Sequence, residues 1–173
     1  MQFLQPQSKK YLILFIGCFL IPAAVTVPMI LAGMDQVNVS GVLNDPRFSF
    51  FAKMTGLFML VWSALLMNMI SHQKKLIILF VLTAFTALFL PYDETHQLIS
   101  LIHIFSAYGG FVCAALVLYP VLLSHRKIMN LYGAVLLFCI MHSLSALQVT
   151  GLSEWLFAVS FSIVLSVLTV MET

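Results

Sequence analysis

The sequence predicts an all-α integral membrane protein, a polytopic transmembrane bundle of six helices with both termini cytoplasmic. Three observations predict this fold class: the composition, the spacing of the apolar stretches, and the distribution of charge between them. Hydrophobic residues make up 62% of the 173-residue chain and charged residues only 8%, whereas a soluble domain carries about a quarter charged residues. The net charge of +2 reflects the placement of Lys and Arg in the loops. The sequence contains no basic patch, so no nucleic-acid partner is expected.

Six apolar stretches approach the length that a bilayer core of about 30 Å requires, which is roughly 20 helical residues. They span residues 11–33, 50–70, 76–91, 97–123, 128–149 and 155–171. The third is marginal, because its residues at about 1.5 Å each barely cross the core. The connections between the stretches are short, and residues 1–173 are therefore interpreted as a single transmembrane domain.

The basic residues predict the orientation, because Lys and Arg in short loops are retained on the cytoplasmic side. Six of the eight fall on one side of the predicted spans: Lys9, Lys10, Lys74, Lys75, Arg126 and Lys127. The other two, Arg47 and Lys53, fall on the opposite side together with most of the acids. The protein is accordingly expected to be integral to the membrane, in the cytoplasmic (inner) membrane of a bacterium.

The longest connection, residues 34–49, carries an Asn-Asp-Pro turn signal. Asp45 is predicted to cap the second span and Pro46 to occupy its first helical position. The fourth span contains Ser106, Gly110 and Ala114 at intervals of four residues, which allows close approach of a neighbouring helix.

Two histidines inside predicted spans are the strongest functional candidates, because ionisable groups within a membrane are costly. His103 lies about seven residues from the outer start of the fourth span, and His142 about seven residues from the outer end of the fifth. Since consecutive spans run antiparallel, both should lie at one depth, about 10 Å below the outer surface. They are predicted to face each other and, with Asp93, to form the catalytic group if the protein is an enzyme.

Helical spacing adds further polar residues to the same outer region. The predicted ligand-binding residues are His96, Ser100, Ser106, Ser145 and Glu154. A second interpretation stays open, because acids and hydroxyls at helix starts also act as caps, and a buried neutral histidine also holds helices together.

The segment Phe89-Leu90-Pro91-Tyr92-Asp93, followed by His103 and Ser106-Ala107 in a helix rich in small residues, resembles six-span bacterial proteins of the domain-of-unknown-function family 998. That family belongs to the FRAG/DRAM-like superfamily. Leu90 departs from its Phe-Pro-x-Asp motif, while Pro91-x-Asp93 is kept. The resemblance implies Asp93 and His103 as key polar positions and favours membrane lipids as partners, but it implies no reaction.

The sequence leaves several functions open. The first is a protein that handles or modifies a lipid in an outer polar pocket through His103 and His142, with Asp93 or Glu154 orienting an imidazole. A metal variant would use His96, His103, His142 and a carboxylate, although no metal-binding spacing is present. A b-type haem with His103 and His142 as axial ligands is weaker, because contacting helices lie too close to hold a haem between them.

A non-enzymatic role is the main alternative: a membrane subunit, a scaffold or a small transporter, acting with a partner subunit or as a homo-oligomer. The small-residue face of the fourth span would suit such an assembly. The sequence identifies no cofactor and leaves open whether the protein is an enzyme.

Overall fold

The computed structural model describes residues 6–33, 39–90, 96–146 and 150–173, and these are helical with short turns and no strand. The first helical span consists of α1 (Pro6–Phe15), a π-helical segment (Ile16–Leu20) and α2 (Ile21–Ala32). The others are α3 (Val39–Asn44), α4 (Ser49–Ile70), α5 (Lys74–Phe89), α6 (Gln97–Ser124), α7 (Arg126–Ser145) and α8 (Gly151–Glu172).

Five helical spans in the described part are long and apolar enough to cross a membrane. They are Gln7–Ala32, Ser49–Ile70, Gln97–Ser124, Arg126–Ser145 and Gly151–Glu172. The remaining long helix, α5, has 16 residues, which at about 1.5 Å each gives roughly 24 Å. This helix coincides with the third predicted stretch, the one whose length is marginal.

The first span departs from a regular α-helix just before Pro22. The Ile21 N–H donates to the carbonyl of Ile16, five residues earlier, and this bond closes the π-helical segment. Pro22 has no N–H to continue the normal ladder, and the Thr26 hydroxyl donates to the Pro22 carbonyl at 2.6 Å. Pro22 therefore accounts for the local bulge, and the helix continues beyond it to Ala32.

The start of the first span and the end of the last lie at the same end of the bundle. Lys10 Nζ donates to the Val170 carbonyl at 3.3 Å. The turn between α6 and α7 reaches the same place, since His125 Nε2 lies 2.8 Å from Glu172 Oε1. We call this the basic end.

The opposite end is marked by a contact between the first span and the start of α8, where Trp155 Nε1 donates to Thr26 Oγ1 at 2.8 Å. We call it the Trp155 end. The close of α5 lies toward this end, because His103 Nδ1 in the early part of α6 is 2.8 Å from the Leu90 carbonyl. Since α6 then runs to His125, α5 must start at the basic end, with Lys74.

The most enclosed helix is α8, which packs against the first span, α4 and α7. Its side chains Leu165, Ser166, Leu168 and Thr169 are fully buried. Many apolar side chains elsewhere are exposed, among them Phe50 at 81%, as expected for helices whose outer faces contact lipid.

The small residues of α6 pack within the chain. A Cβ atom at Gly110 would lie 3.3 Å from Thr83 Oγ1 and 3.6 Å from Ala84 Cβ, both on α5. The interpretation of this face as a helix-packing surface is confirmed, and the partner in contact with Gly110 is α5 of the same chain.

The connection before α4 differs from the prediction. It contains a short helix, α3, and α4 begins at Ser49 with Phe48 as its N-cap. The prediction that Asp45 caps this helix is wrong, because its carboxylate instead accepts from the Arg47 N–H at 2.9 Å. An aspartate that bonds the N–H two residues ahead forms its own turn, and this one precedes the helix.

Candidate functional site

The end of α7 and the start of α8 meet at a cluster of polar side chains near the Trp155 end. We call it the α7–α8 polar junction and define it by His142, Ser143, Thr150 and Ser153. His142 Nδ1 lies 2.9 Å from Thr150 Oγ1 and 3.3 Å from Ser153 Oγ. Ser143 Oγ donates to Ser153 Oγ at 3.0 Å. Four side chains from two helices thus share one hydrogen-bond network.

The local sequence explains why α8 begins here. Thr150 has extended backbone angles and its hydroxyl accepts from the Ser153 N–H at 3.2 Å, which makes it the N-cap of α8. The Ser153 hydroxyl, itself buried, lies 2.9 Å from Thr150 Oγ1 and also donates to the Cys139 carbonyl at 3.3 Å. Because a side-chain cap satisfies backbone N–H groups that would otherwise lack partners, the cap also fixes the hydroxyls that face His142.

His142 lies in the last turn of α7. The ring is half-buried and stacks on Phe138 with 5.7 Å between ring centroids. Among the described residues, both of its hydrogen bonds use Nδ1. Nε2 therefore makes no hydrogen bond to a described residue.

His103 is buried and belongs to a different contact. Its Nδ1 lies 2.8 Å from the carbonyl of Leu90, the residue that ends α5. Since a carbonyl only accepts, Nδ1 is the donor in this contact. His103 thus joins the end of α5 to α6, while His142 joins α7 to α8. A contact between the two rings stays a prediction.

The other predicted site residues lie around these two histidines. Ser145 is exposed, and its hydroxyl donates to the His142 carbonyl at 2.8 Å. Glu154 lies in the first turn of α8, next to Ser153. His96 lies at the start of α6 and its carbonyl accepts from the N–H of the buried Ser100 at 3.1 Å.

Two predicted positions complete the comparison. Ser106 is half-buried on α6, one turn beyond His103. Asp93 lies outside the described residues, so its pairing with His103 stays a prediction. Within the described residues no three His, Cys, Asp or Glu side chains come together as a metal site would require, and this includes the set His96, His103 and His142.

Sequence reasoning missed Thr150 and Ser143 as partners of His142. The signal for Thr150 is a threonine three residues before another polar residue at the start of an apolar run, a pattern typical of helix caps. Ser143 gave no signal, because its contact depends on how α7 and α8 cross.

The serines and threonine of α8 nearer the basic end have a packing role. Ser162 Oγ donates to the Gly17 carbonyl at 2.9 Å, and Thr169 Oγ1 donates to the Leu165 carbonyl at 2.8 Å. Ser162 therefore connects α8 to the first span, and Thr169 bonds within its own helix.

Comparison of the chain with protein-family models, with curated proteins and with solved structures gives no match. Of the segment that resembles the domain-of-unknown-function family 998, residues 91–95 lie outside the described part. Function is therefore inferred from the chemistry of the polar junction.

Proposed function

We propose that this integral membrane protein handles a membrane lipid whose polar group binds at the α7–α8 polar junction. The observation that carries the proposal is the half-buried imidazole of His142, held at Nδ1 by the hydroxyls of Thr150 and Ser153. Polar side chains at this position cost free energy next to apolar helix faces, which is why they favour a functional role. The hydroxyls and Nε2 together offer donors and acceptors that suit a lipid phosphate, ester or hydroxyl.

His142 also has the chemistry for proton transfer if the lipid is modified. An imidazole can both accept and donate a proton, which suits general acid-base chemistry. We propose His103 and Asp93 as the other members of such a catalytic group, with His96, Ser100, Ser106, Ser145 and Glu154 as binding residues. The resemblance to the domain-of-unknown-function family 998 is consistent with this choice of Asp93 and His103.

We further propose that α5 crosses the membrane as a sixth span and that the basic end faces the cytoplasm of a bacterium. Polar residues at its ends would then complete the short span, with the ammonium group of Lys74 extending toward the headgroups. Cysteines introduced at Lys9, Lys75 and Arg126 should react with a membrane-impermeant maleimide only in inverted vesicles. A cysteine at Arg47 should react only in right-side-out vesicles, and the reverse pattern would contradict this orientation.

The lipid proposal is tested by the lipids that co-purify in mild detergent. Wild-type protein and the variants His142→Ala and Thr150→Val are extracted with organic solvent and compared by lipid mass spectrometry. The matched control is His125→Gln, a histidine at the basic end. We expect one lipid class to be depleted in the two junction variants and retained in the control. An unchanged lipid profile in both junction variants would contradict the proposal.

A membrane subunit or scaffold without enzymatic activity is the second candidate, and α7 favours it. Leu137, Met141 and Leu144 lie at i, i+4 and i+7 on one face of this helix and are all more than half exposed. Such a face is able to pack against a partner subunit or a second copy of the chain. Light scattering of the purified protein separates the two cases. If the chain is a homo-oligomer, Leu137→Asn should reduce the measured mass to that of the monomer. If it is a lipid-handling monomer, the variant should have the same mass as the wild type. The functions of a small transporter and of a b-type haem protein stay predictions. Visible absorption of the purified protein would test for haem.

A further inference from the structure

A groove runs between α4 and α5 on the outside of the bundle, on helices that take no part in the α7–α8 polar junction. Its volume is about 550 Å³. Leu60 and Ile77 form a buried floor, while Val61 and Ile78 form rims that are 52% and 60% exposed. The groove is apolar along its length and becomes polar only where Asn68 and Lys74 line it.

The polar pair lies at one end of the groove for a simple topological reason. Asn68 is near the close of α4, Lys74 opens α5, and only residues 71–73 separate the two helices. Both side chains are exposed. The groove therefore has an ammonium group at the basic end and apolar walls from there toward the middle of the bundle.

The length of the groove indicates what kind of molecule it binds. The lining residues extend from Lys74 to Phe85 on α5 and from Asn68 back to Leu57 on α4, which is about 16 Å along each helix at 1.5 Å per residue. One leaflet of the hydrocarbon core is about 15 Å thick, half of the whole. A transmembrane helix of a partner would need contact along the full thickness, whereas an acyl chain from one leaflet needs only this half.

The charge of Lys74 indicates which lipid headgroup the groove prefers. An ammonium group beside the headgroup layer attracts anionic lipids, and the amide of Asn68 adds a hydrogen-bond donor next to it. We propose that the α4–α5 groove binds one acyl chain of an anionic phospholipid from the leaflet at the basic end, with its phosphate against Lys74 and Asn68.

Native mass spectrometry of the detergent-purified chain tests this site. Dioleoyl phosphatidylglycerol and dioleoyl phosphatidylcholine are titrated separately, because they share acyl chains and differ in headgroup charge. We expect one phosphatidylglycerol to bind more tightly than phosphatidylcholine. Lys74→Gln should weaken the binding of phosphatidylglycerol about fivefold, as expected for one basic group near an anionic lipid. Val61→Trp should prevent binding of the first lipid, because the larger side chain fills the groove.

Matched controls lie on α7, away from the groove. Lys127→Gln removes a charge at the same end of the bundle, and Leu131→Trp enlarges an exposed apolar position. Both should bind phosphatidylglycerol as the wild type does. Equal binding of the two lipids, no effect of Lys74→Gln, or a dimer that Val61→Trp dissociates would each overturn the proposal. The junction variants are compared by the class of lipid that co-purifies and the groove variants by this titration, so failure of this proposal is distinct from failure of the proposed function.

Discussion

The side chain of Ser166 occupies the space that a Cβ atom at Gly17 would need. An added Cβ would lie 2.5 Å from Ser166 Cβ and 3.2 Å from the Ser162 carbonyl oxygen. Gly17 is part of the π-helical segment, and its own carbonyl accepts from Ser162 Oγ at 2.9 Å. The bulge and the missing side chain together let the backbone of the first span approach α8, the most enclosed helix.

This approach predicts that Gly17→Ala destabilises the fold. The new methyl group would meet α8 backbone and the Ser166 side chain, neither of which is able to move without disturbing the core, and overpacking of this kind costs about 2 kcal/mol. Thermal unfolding in detergent, followed by the fluorescence of Trp62 and Trp155, should show a lower midpoint.

Gly133 supplies the matched control, because a Cβ there would have nothing within 4 Å. Gly133→Ala should leave the midpoint unchanged or raise it, since alanine favours a helix by up to about 1 kcal/mol over glycine. An equal loss in both variants would contradict the packing account of Gly17.

Ser166→Ala should stabilise the protein. The Ser166 hydroxyl is fully buried and has no hydrogen-bond partner within the described residues, and an unsatisfied buried hydroxyl costs about 1 kcal/mol or more. The same unfolding measurement checks the sign. Ser162→Ala should act in the opposite direction, because it removes a hydrogen bond that is made. A loss of stability in Ser166→Ala would contradict this account of the hydroxyl.

Thr150 gives a prediction for the polar junction. Thr150→Val keeps the shape of the side chain and removes the hydroxyl that caps α8 and contacts His142. We expect a loss of about 1 kcal/mol, the usual effect of losing a cap, together with a change in the imidazole resonances of His142 in NMR spectra. Thr150→Ser keeps the hydroxyl and should behave like the wild type. Unchanged His142 resonances in Thr150→Val would contradict the network.

The sequence predicted the parts of this fold that depend on hydrophobicity. The predicted boundaries 97–123 agree closely with α6 (Gln97–Ser124), because a long apolar run with polar ends determines a span by itself. The close approach of Gly17 to Ser166 was not predictable, since Ser166 lies far along the chain. Likewise, His142 could be selected as an intramembrane histidine, but its contact with Ser143 and Ser153 depends on how α7 and α8 cross.

Trp155 is expected to report on the link between the first span and α8. Thr26→Val removes the acceptor of its indole N–H, and losing one such hydrogen bond costs about 1 kcal/mol. In a Trp62→Phe background the emission comes from Trp155 alone, since the chain has two tryptophans. The emission maximum should shift when the hydrogen bond is lost. Thr26→Ser retains an acceptor and should leave it unchanged, and a shift of equal size there would exclude the hydrogen bond as its cause.

Asp45 and Arg47 form an exposed pair outside the membrane-spanning helices, with Arg47 Nη2 2.7 Å from Asp45 Oδ2. The side-chain hydrogen bond from Arg47, helped by its backbone N–H and its charge, lowers the pKa of the Asp45 carboxyl below its ordinary value. A lowered folded-state pKa means that the pair stabilises the loop above the unfolded pKa of about 3.9. That contribution disappears as the pH falls through the lower folded-state value.

Carbon NMR titration of aspartate-labelled protein in detergent should therefore give Asp45 a lower pKa than an unpaired aspartate. Arg47→Gln should raise it toward the ordinary value, whereas Lys53→Gln should not, and equal shifts in the two variants would show that general charge, rather than this pair, sets the pKa.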